Sequence, residues 1–286
     1  MQILQRKLEF GKKKTAEVIY GACWHIGNPS TDNGGIKKFM ERAKKQYWWL
    51  AGDIIEAITT TDKRFNHKEH TVSIETCKQQ ASSIIYPARN SCWGTICGNH
   101  EWGASREGDV AETIALNAHV PYLGACAYIS VKCPNGKALI FTGHGKGSMG
   151  FNSGVPERDD VNRRLRLRRL LDGFKGEKDV SFAKCVAHYH RTIIDPARAM
   201  YGSTVESSEF KRRAITLRED WVMACPSLFR NYDDESPVSY AEMALYPPTD
   251  LGWLGIVFNR NGTIACVREY SPKGNITQEI VEDVIR

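Results

Sequence analysis

The 286-residue chain has no apolar run that approaches the ~20 residues a membrane-crossing helix needs. Its opening stretch, MQILQRKLEFGKKK, is charged and lacks the apolar segment of a secretory signal, so the chain is expected in the cytoplasm. Nine cysteines, an odd number without paired spacing, argue against a disulfide framework and read as thiols in a reducing compartment. There is no internal repeat, low-complexity tract or linker. Charge of one sign is also modest. Thirty-nine Lys and Arg against 33 Asp and Glu leave a formal charge of +6. That balance suits an anionic partner such as nucleic acid or a phosphorylated metabolite, and it equally suits an ordinary enzyme.

What is present is an alternation. Hydrophobic residues make up 42 % of the chain, enough for a sizeable core. Residues 17–22, 47–53, 92–102 and 181–190 read as apolar strands rich in β-formers. Residues 34–46 place Ile36, Phe39, Met40 and Ala43 on one helical face; 69–87, 107–118 and 157–174 also read as helices. The turn signal PNG at 134–136 makes a hairpin of its flanks. After residue 190 the pattern becomes short strands, and 232–243 is polar enough for an exposed loop. Strands alternating with helices and followed by more strands predict an α/β layered sandwich over residues 1–286, with a motif-bearing part at 17–190 and a strand-rich part at 191–286.

Five predicted strands end in metal-capable residues: Cys23-Trp24-His25, Gly52-Asp53, Gly98-Asn99-His100-Glu101, His144-Gly145 and His188-Tyr189-His190. Ligands collect at the carboxyl ends of strands in α/β sheets, where loops converge from distant positions. Together these segments offer several imidazoles, a carboxylate, an amide oxygen and a thiol. Imidazole and carboxylate favour Zn, Mn, Fe or Ni over Ca or Mg, and Asp53 is placed to bridge two such ions. Glycines at 52, 98, 143 and 145 fit the tight strand-to-loop turns required. A metal pair about 3.5–4 Å apart suits in-line attack on phosphorus.

In order and spacing these segments resemble the calcineurin-like metallophosphoesterases, whose signature runs Asp-x-His, Gly-Asp, Gly-Asn-His-Glu/Asp, a later His, then Gly-His-x-His. ICGNHEW, with LAGD upstream and AHYH downstream, carries the resemblance over residues 17–190, and VPYLGACAYISV and VMACPSLF are similar to phage and prophage members. The resemblance implies a four-layer α/β/β/α sandwich of the metallophosphoesterase type. It implies two divalent or trivalent transition-metal ions, with a metal-bridging hydroxide as nucleophile. His25 and His190 would hold the first ion, Asp53 would bridge, and Asn99, His144 and His188 would hold the second. His100 would be a proton donor or transition-state contact, and Glu101 would orient a neighbouring imidazole. The implied activity is hydrolysis of a phosphodiester in nucleic acid or a nucleotide; a phosphomonoester stays open.

Two positions depart from the signature. Cys23 stands where the family has aspartate, and Ala187 where it has glycine. A thiolate is soft and would bias the first site toward Zn or Fe. Three readings of Cys23 stay open: it coordinates; it packs beside a single-metal or non-catalytic binding site; or Asp32 supplies the missing carboxylate. Trp24 and Trp102 could wall the site or pack beside it. His67, His70 and His119 match no motif and read as structural. The run 158–176 carries Arg163, Arg164, Arg166, Arg168 and Arg169 largely outside a stripe of Val161, Leu165, Leu167, Leu171 and Phe174. It reads as a solvated face or as a phosphate-tracking patch. Lys146, Arg163 and Arg164 are candidate substrate contacts.

Overall fold

A computed structural model describes residues 2–104, 109–150, 153–177, 179–206, 211–232, 240–243 and 245–281. The chain forms an α/β fold of two sheets. One sheet has the order β13-β12-β11-β2-β3-β4, from β2 (Thr15–Gly21), β3 (Tyr47–Leu50), β4 (Cys92–Thr95), β11 (Trp253–Asn259), β12 (Ile264–Tyr270) and β13 (Ile276–Ile280). Strands β2, β3 and β4 run parallel, and β11 joins β2 antiparallel. The other sheet has the order β1-β5-β6-β7-β10-β8, from β1 (Gln2–Lys7), β5 (Cys126–Cys133), β6 (Gly136–Gly143), β7 (Ser181–Val186), β8 (Ile193–Asp195) and β10 (Lys211–Ala224), with β9 (Arg198–Glu206) on β10. The residues after 190 are thus shared between the sheets. At 14 residues β10 is longer than the short strands expected there.

The period-2 alternation of the strands feeds two cores. Val18 and Tyr20 of β2 and Trp49 of β3 face Ala127, Ile129, Ile140 and Ala183 of the other sheet. Trp49 also donates its indole N–H to Thr142 Oγ1 across the gap at 3.0 Å. The opposite face of the first sheet, with Ile19, Trp48 and Leu50, packs on helices α1 (Asn33–Ala43), α2 (Ile74–Ile85) and α4 (Val110–Asn117), the short α3 (Asn99–Gly103) lying between α2 and α4 along the chain. Leu139, Phe141, Phe182 and Val222 cover the outer face of the second sheet together with Leu167 and Leu171 of α5 (Pro156–Leu171). The buried face of α1 is the predicted one: Ile36, Phe39, Met40 and Ala43. Phe39 meets Trp24, Trp48 and Trp253 edge-on at 5.5–6.0 Å. Trp24 is therefore a core residue, whereas Trp102 is 70 % exposed.

The differences from the predicted elements have local causes. Strands β3, β4 and β7 stop before the residues that carry chemistry. Asp53 (φ 50°) and His188 (φ 76°) adopt left-handed backbone, which no ladder continues through. Helix α2 starts at Ile74, capped by Ser73, whose hydroxyl accepts the Thr76 N–H at 3.1 Å. Pro87 lies within a following 3-10 turn, Tyr86–Ser91. On α5 the stripe is narrower than expected: Leu167 and Leu171 are buried, but Val161 and Leu165 are about half exposed, at 54 % and 48 %. Residues 107–108, part of the predicted helix 107–118, residues 151–152, and residues 233–239, part of the polar loop 232–243, lie outside the described residues.

Candidate metal centre

Five of the eight non-glycine residues with positive φ among the described residues are predicted ligands: Cys23 (51°), His25 (51°), Asp53 (50°), His188 (76°) and His190 (51°). Left-handed backbone in ordinary residues concentrates at functional sites because the surroundings must hold it there. Here backbone bonds hold it. Cys23 N–H donates to Gly52 O at 2.9 Å, and the N–H groups of Trp24 and His25 both donate to Asp53 O, at 2.8 and 3.1 Å. Ala187 N–H donates to His144 O at 2.9 Å, which locks the end of β7 to that of β6. A Cβ on Gly98 would lie 2.1 Å from Asp53 N and 2.2 Å from its Oδ1, so the Asp53 and Asn99 loops meet at this distance only through glycine. Ala187 is absent from the positive-φ residues, which is why alanine serves where the resemblance has glycine.

Seven predicted ligands converge. His144 Nδ1 lies 2.7 Å from Ala51 O, and a carbonyl only accepts, so Nδ1 carries the proton. Nε2 then presents its lone pair 2.8 Å from Asp53 Oδ2 and 3.0 Å from Asn99 Oδ1. Three electron-rich atoms aimed at one another need positive charge among them, either a proton or a metal cation. His25 repeats the pattern. Its Nδ1 lies 3.0 Å from Glu56 Oε2, which turns Nε2 toward His190 Nε2 at 3.4 Å. The donor atoms of Cys23, His25 and His190 lie within 4.8 Å of one another, as do those of Cys23, Asp53 and His144. His188 stacks edge-on against His144 with ring centroids 5.2 Å apart. The donor set of thiol, imidazoles, carboxylate and amide fits one or two transition-metal ions.

The electrostatics divide the imidazoles. Burial and the neighbouring His144 push His188 down to about 4, and burial with His25 holds His190 well below the usual range, so both present free lone pairs. Burial opposes charge on His100, but the Asp53 and Glu56 carboxylates raise it to about 9. Burial acts against ionised Asp53 too, yet His144, His100 and His25 together hold it well below the carboxylate range. Burial, reinforced by Asp53, pushes the Cys23 thiol up.

Five expectations are corrected. Glu101 orients backbone rather than an imidazole. Its carboxylate accepts the N–H groups of Gly98, Asp53, Ile54 and Ile55 at 2.5–3.1 Å, because it sits inside the turn made by those residues. Asp32 does not replace the missing aspartate, since it caps α1 by accepting Gly35 N–H at 2.9 Å and lies 3.3 Å from the Arg230 guanidinium. Lys146 is exposed and is not among the residues lining the cavity; its backbone N and O both bond the Tyr189 hydroxyl. Arg164 is tied to Asp160 one turn back at 2.6 Å and lies outside that lining, whereas Arg163 is within it. Arg168 is not on the outside either, because it anchors to Asp195 at 2.7 Å.

The cavity is about 510 Å³ and opens over His25, Asp53, Asn99, His100, His188 and His190. Sequence reasoning missed much of its wall. Glu56 serves two imidazoles, with Oε2 on His25 and Oε1 3.0 Å from His100 Nδ1. His70, read as structural, reaches the same carboxylate at 3.7 Å. Arg64 is held by both oxygens of Asp62 and places Nη1 3.2 Å from His100 Nε2. Phe229 lies 4.8 Å from the His25 ring, and Tyr246, Pro247 and Thr249 complete that side. The only sequence signal for Glu56 was its place three residues after Asp53, and the others had none.

No family model matches the chain, and no curated protein matches it. Among solved structures, GAP50, the anchor in the inner membrane complex of Plasmodium, aligns with 94 % of this chain and 89 % of its own length at 9 % identity and a TM-score of 0.46. A likeness that distant carries no argument about family or activity.

Proposed function

We propose that the protein is a metal-dependent phosphoesterase with the four-layer α/β/β/α sandwich of the metallophosphoesterase type, acting on a phosphodiester of a nucleotide or nucleic acid. The observation that carries this reading is the cluster of lone pairs around Asp53. Two imidazoles, each with Nδ1 on a buried acceptor behind it, aim their Nε2 atoms into a group of oxygen, nitrogen and sulfur donors. Cys23, His25 and His190 would hold one ion, Asn99, His144 and His188 the other, and Asp53 would touch both. Bound there, the metal pair would activate water and offset charge on the phosphoryl oxygens. Glu56 holds His25 and His100 in register. His100, its Nδ1 on Glu56, would be the proton donor to a leaving oxygen or a transition-state contact, as the resemblance implies. Arg64, fixed beside it by Asp62, offers guanidinium N–H groups to the phosphate. The free state of all nine cysteines suits a reducing compartment such as the cytoplasm. Among the described residues no helix is long and apolar enough to cross a membrane.

Elemental analysis of the purified protein with turnover of bis-p-nitrophenyl phosphate tests the reading. Close to two transition-metal ions per chain and measurable hydrolysis are expected. His100→Ala should lower kcat by about 10²–10⁴ with metal content retained. A chain that binds no metal under metal-replete, reducing conditions is a binding module on this fold instead.

A further inference from the structure

Helix α5 buries Leu167 and Leu171, spaced four residues apart, and the same stripe continues back through Arg163 and Asp159. Asp159 is accounted for, because it is buried and accepts Ser153 N–H at 3.0 Å. Arg163 is different. It holds a position on the inward-facing stripe, is half-buried, and lines the same cavity as His100 and His188. Its neighbours on the helix have carboxylate partners: Arg164 on Asp160 and Arg168 on Asp195. Arg163 makes no salt bridge or hydrogen bond among the described residues, although Asp159 lies near enough to feel its charge. A guanidinium that lines a cavity with no protein partner is free to take an anionic ligand there. The cation touching His100 is Arg64, from a separate segment. The reacting phosphate therefore has its own arginine, and Arg163 approaches from another element.

We propose that Arg163 binds a second phosphate of the substrate, one that is not cleaved. The substrate is then a phosphodiester bearing a further phosphate, either on the same nucleotide or as the next phosphate of a polynucleotide. A planar guanidinium grips a phosphate through two parallel N–H bonds, which rewards a doubly phosphorylated ligand over its singly phosphorylated counterpart. This rests on the phosphoesterase reading, but it has a binding readout of its own.

The test is calorimetric titration of the metal-replete protein with thymidine 3′,5′-bisphosphate and thymidine 5′-monophosphate. The bisphosphate is expected to bind about tenfold or more tightly, the gain from one charge-assisted contact. Arg163→Ala should erase that preference, Arg163→Lys should restore part of it, and Arg169→Ala, which removes a charge from the exposed side of the helix, should keep it. Equal affinity for the two nucleotides in the wild type, a preference that survives Arg163→Ala, or an equal loss in Arg169→Ala overturns the proposal. An oligothymidylate distinguishes the sources. Binding tighter than the bisphosphate with a steeper salt dependence points to a polynucleotide, and binding no tighter points to a nucleotide. Wild-type turnover of bis-p-nitrophenyl phosphate, which has no second phosphate, reports on the phosphoesterase reading separately.

Discussion

The two halves of the candidate metal centre are built alike and furnished differently. Around Asn99, His144 and His188 the donors are an amide oxygen and imidazoles, and the supporting acceptor behind His144 is a backbone carbonyl. Around Cys23, His25 and His190 there is a thiol, and the supporting acceptor behind His25 is a charged side chain, Glu56. A carbonyl cannot be mutated away or titrated; a carboxylate can. On the proposed reading the Cys23 half therefore depends more on side-chain identity, on pH and on which metal is offered. Asp53 and His100 stand between the halves. Asp53 meets His144 on one oxygen and the His100 backbone N–H on the other. The His100 ring rests against His25 at 4.6 Å.

The largest effect should come from removing what the halves share. Without metal, the positive charge between Asp53 and His144 is a proton, so in chelator-treated protein Asp53→Ala deletes one partner of a buried ion pair and is expected to cost about 3–5 kcal/mol of stability by urea unfolding. It should empty both halves by elemental analysis. Retention of one full equivalent of metal would show that the halves are independent.

Next is pH. In chelator-treated protein, protonated His100 is held between Asp53 and Glu56 with its pKa raised to about 9, above the roughly 6.5 of an unfolded histidine. The stabilisation, roughly 3 kcal/mol, is complete below about pH 6.5 and is lost as pH rises through about 9. Thermal unfolding between those values should show a fall in Tm that His100→Ala abolishes.

Glu56→Gln should act mainly on the Cys23 half, because the amide no longer holds His25 as a charged acceptor. A loss of about 10–100-fold in affinity for the weaker-bound ion or in turnover is expected, with the second ion retained. Equal loss of both ions would erase the proposed asymmetry. The mildest change is Cys23→Asp. Exchanging a soft donor for a hard one should shift preference from Zn toward Mn in competition binding, with little change in Tm.

The convergence of these residues was legible because each follows an apolar β-run that breaks at a glycine or a left-handed residue. Such a break puts a polar side chain at a strand end, where the two sheets make neighbours of residues 23 and 190. The α1 stripe and the 134–136 hairpin were legible for the same reason, since period and turn chemistry are local. Arg64 and His70 lie in an irregular segment with no period, and their value comes from the buried Glu56 and from Asp62, which only the folded chain brings into contact with them. The wall of Phe229, Tyr246, Pro247 and Thr249 carries no motif and is assembled by tertiary bonds such as Asn231 Nδ2 to Pro247 O at 2.8 Å. Strand β1 was missed because its residues are mostly exposed or half-exposed. Its place in the sheet comes from parallel pairing with β5, more than a hundred residues later.

The positive φ of Cys23 limits how this position can drift. A Cβ with two heavy branches clashes in that conformation, so valine, isoleucine and threonine are shut out by the main chain before any ion is considered. Aspartate and asparagine tolerate it, and glycine does so freely. The peptide itself thus acts as a filter on the repertoire at residue 23. It leaves short, unbranched donors or none, and an exchange between cysteine and aspartate is among the few substitutions the backbone would pass without rebuilding.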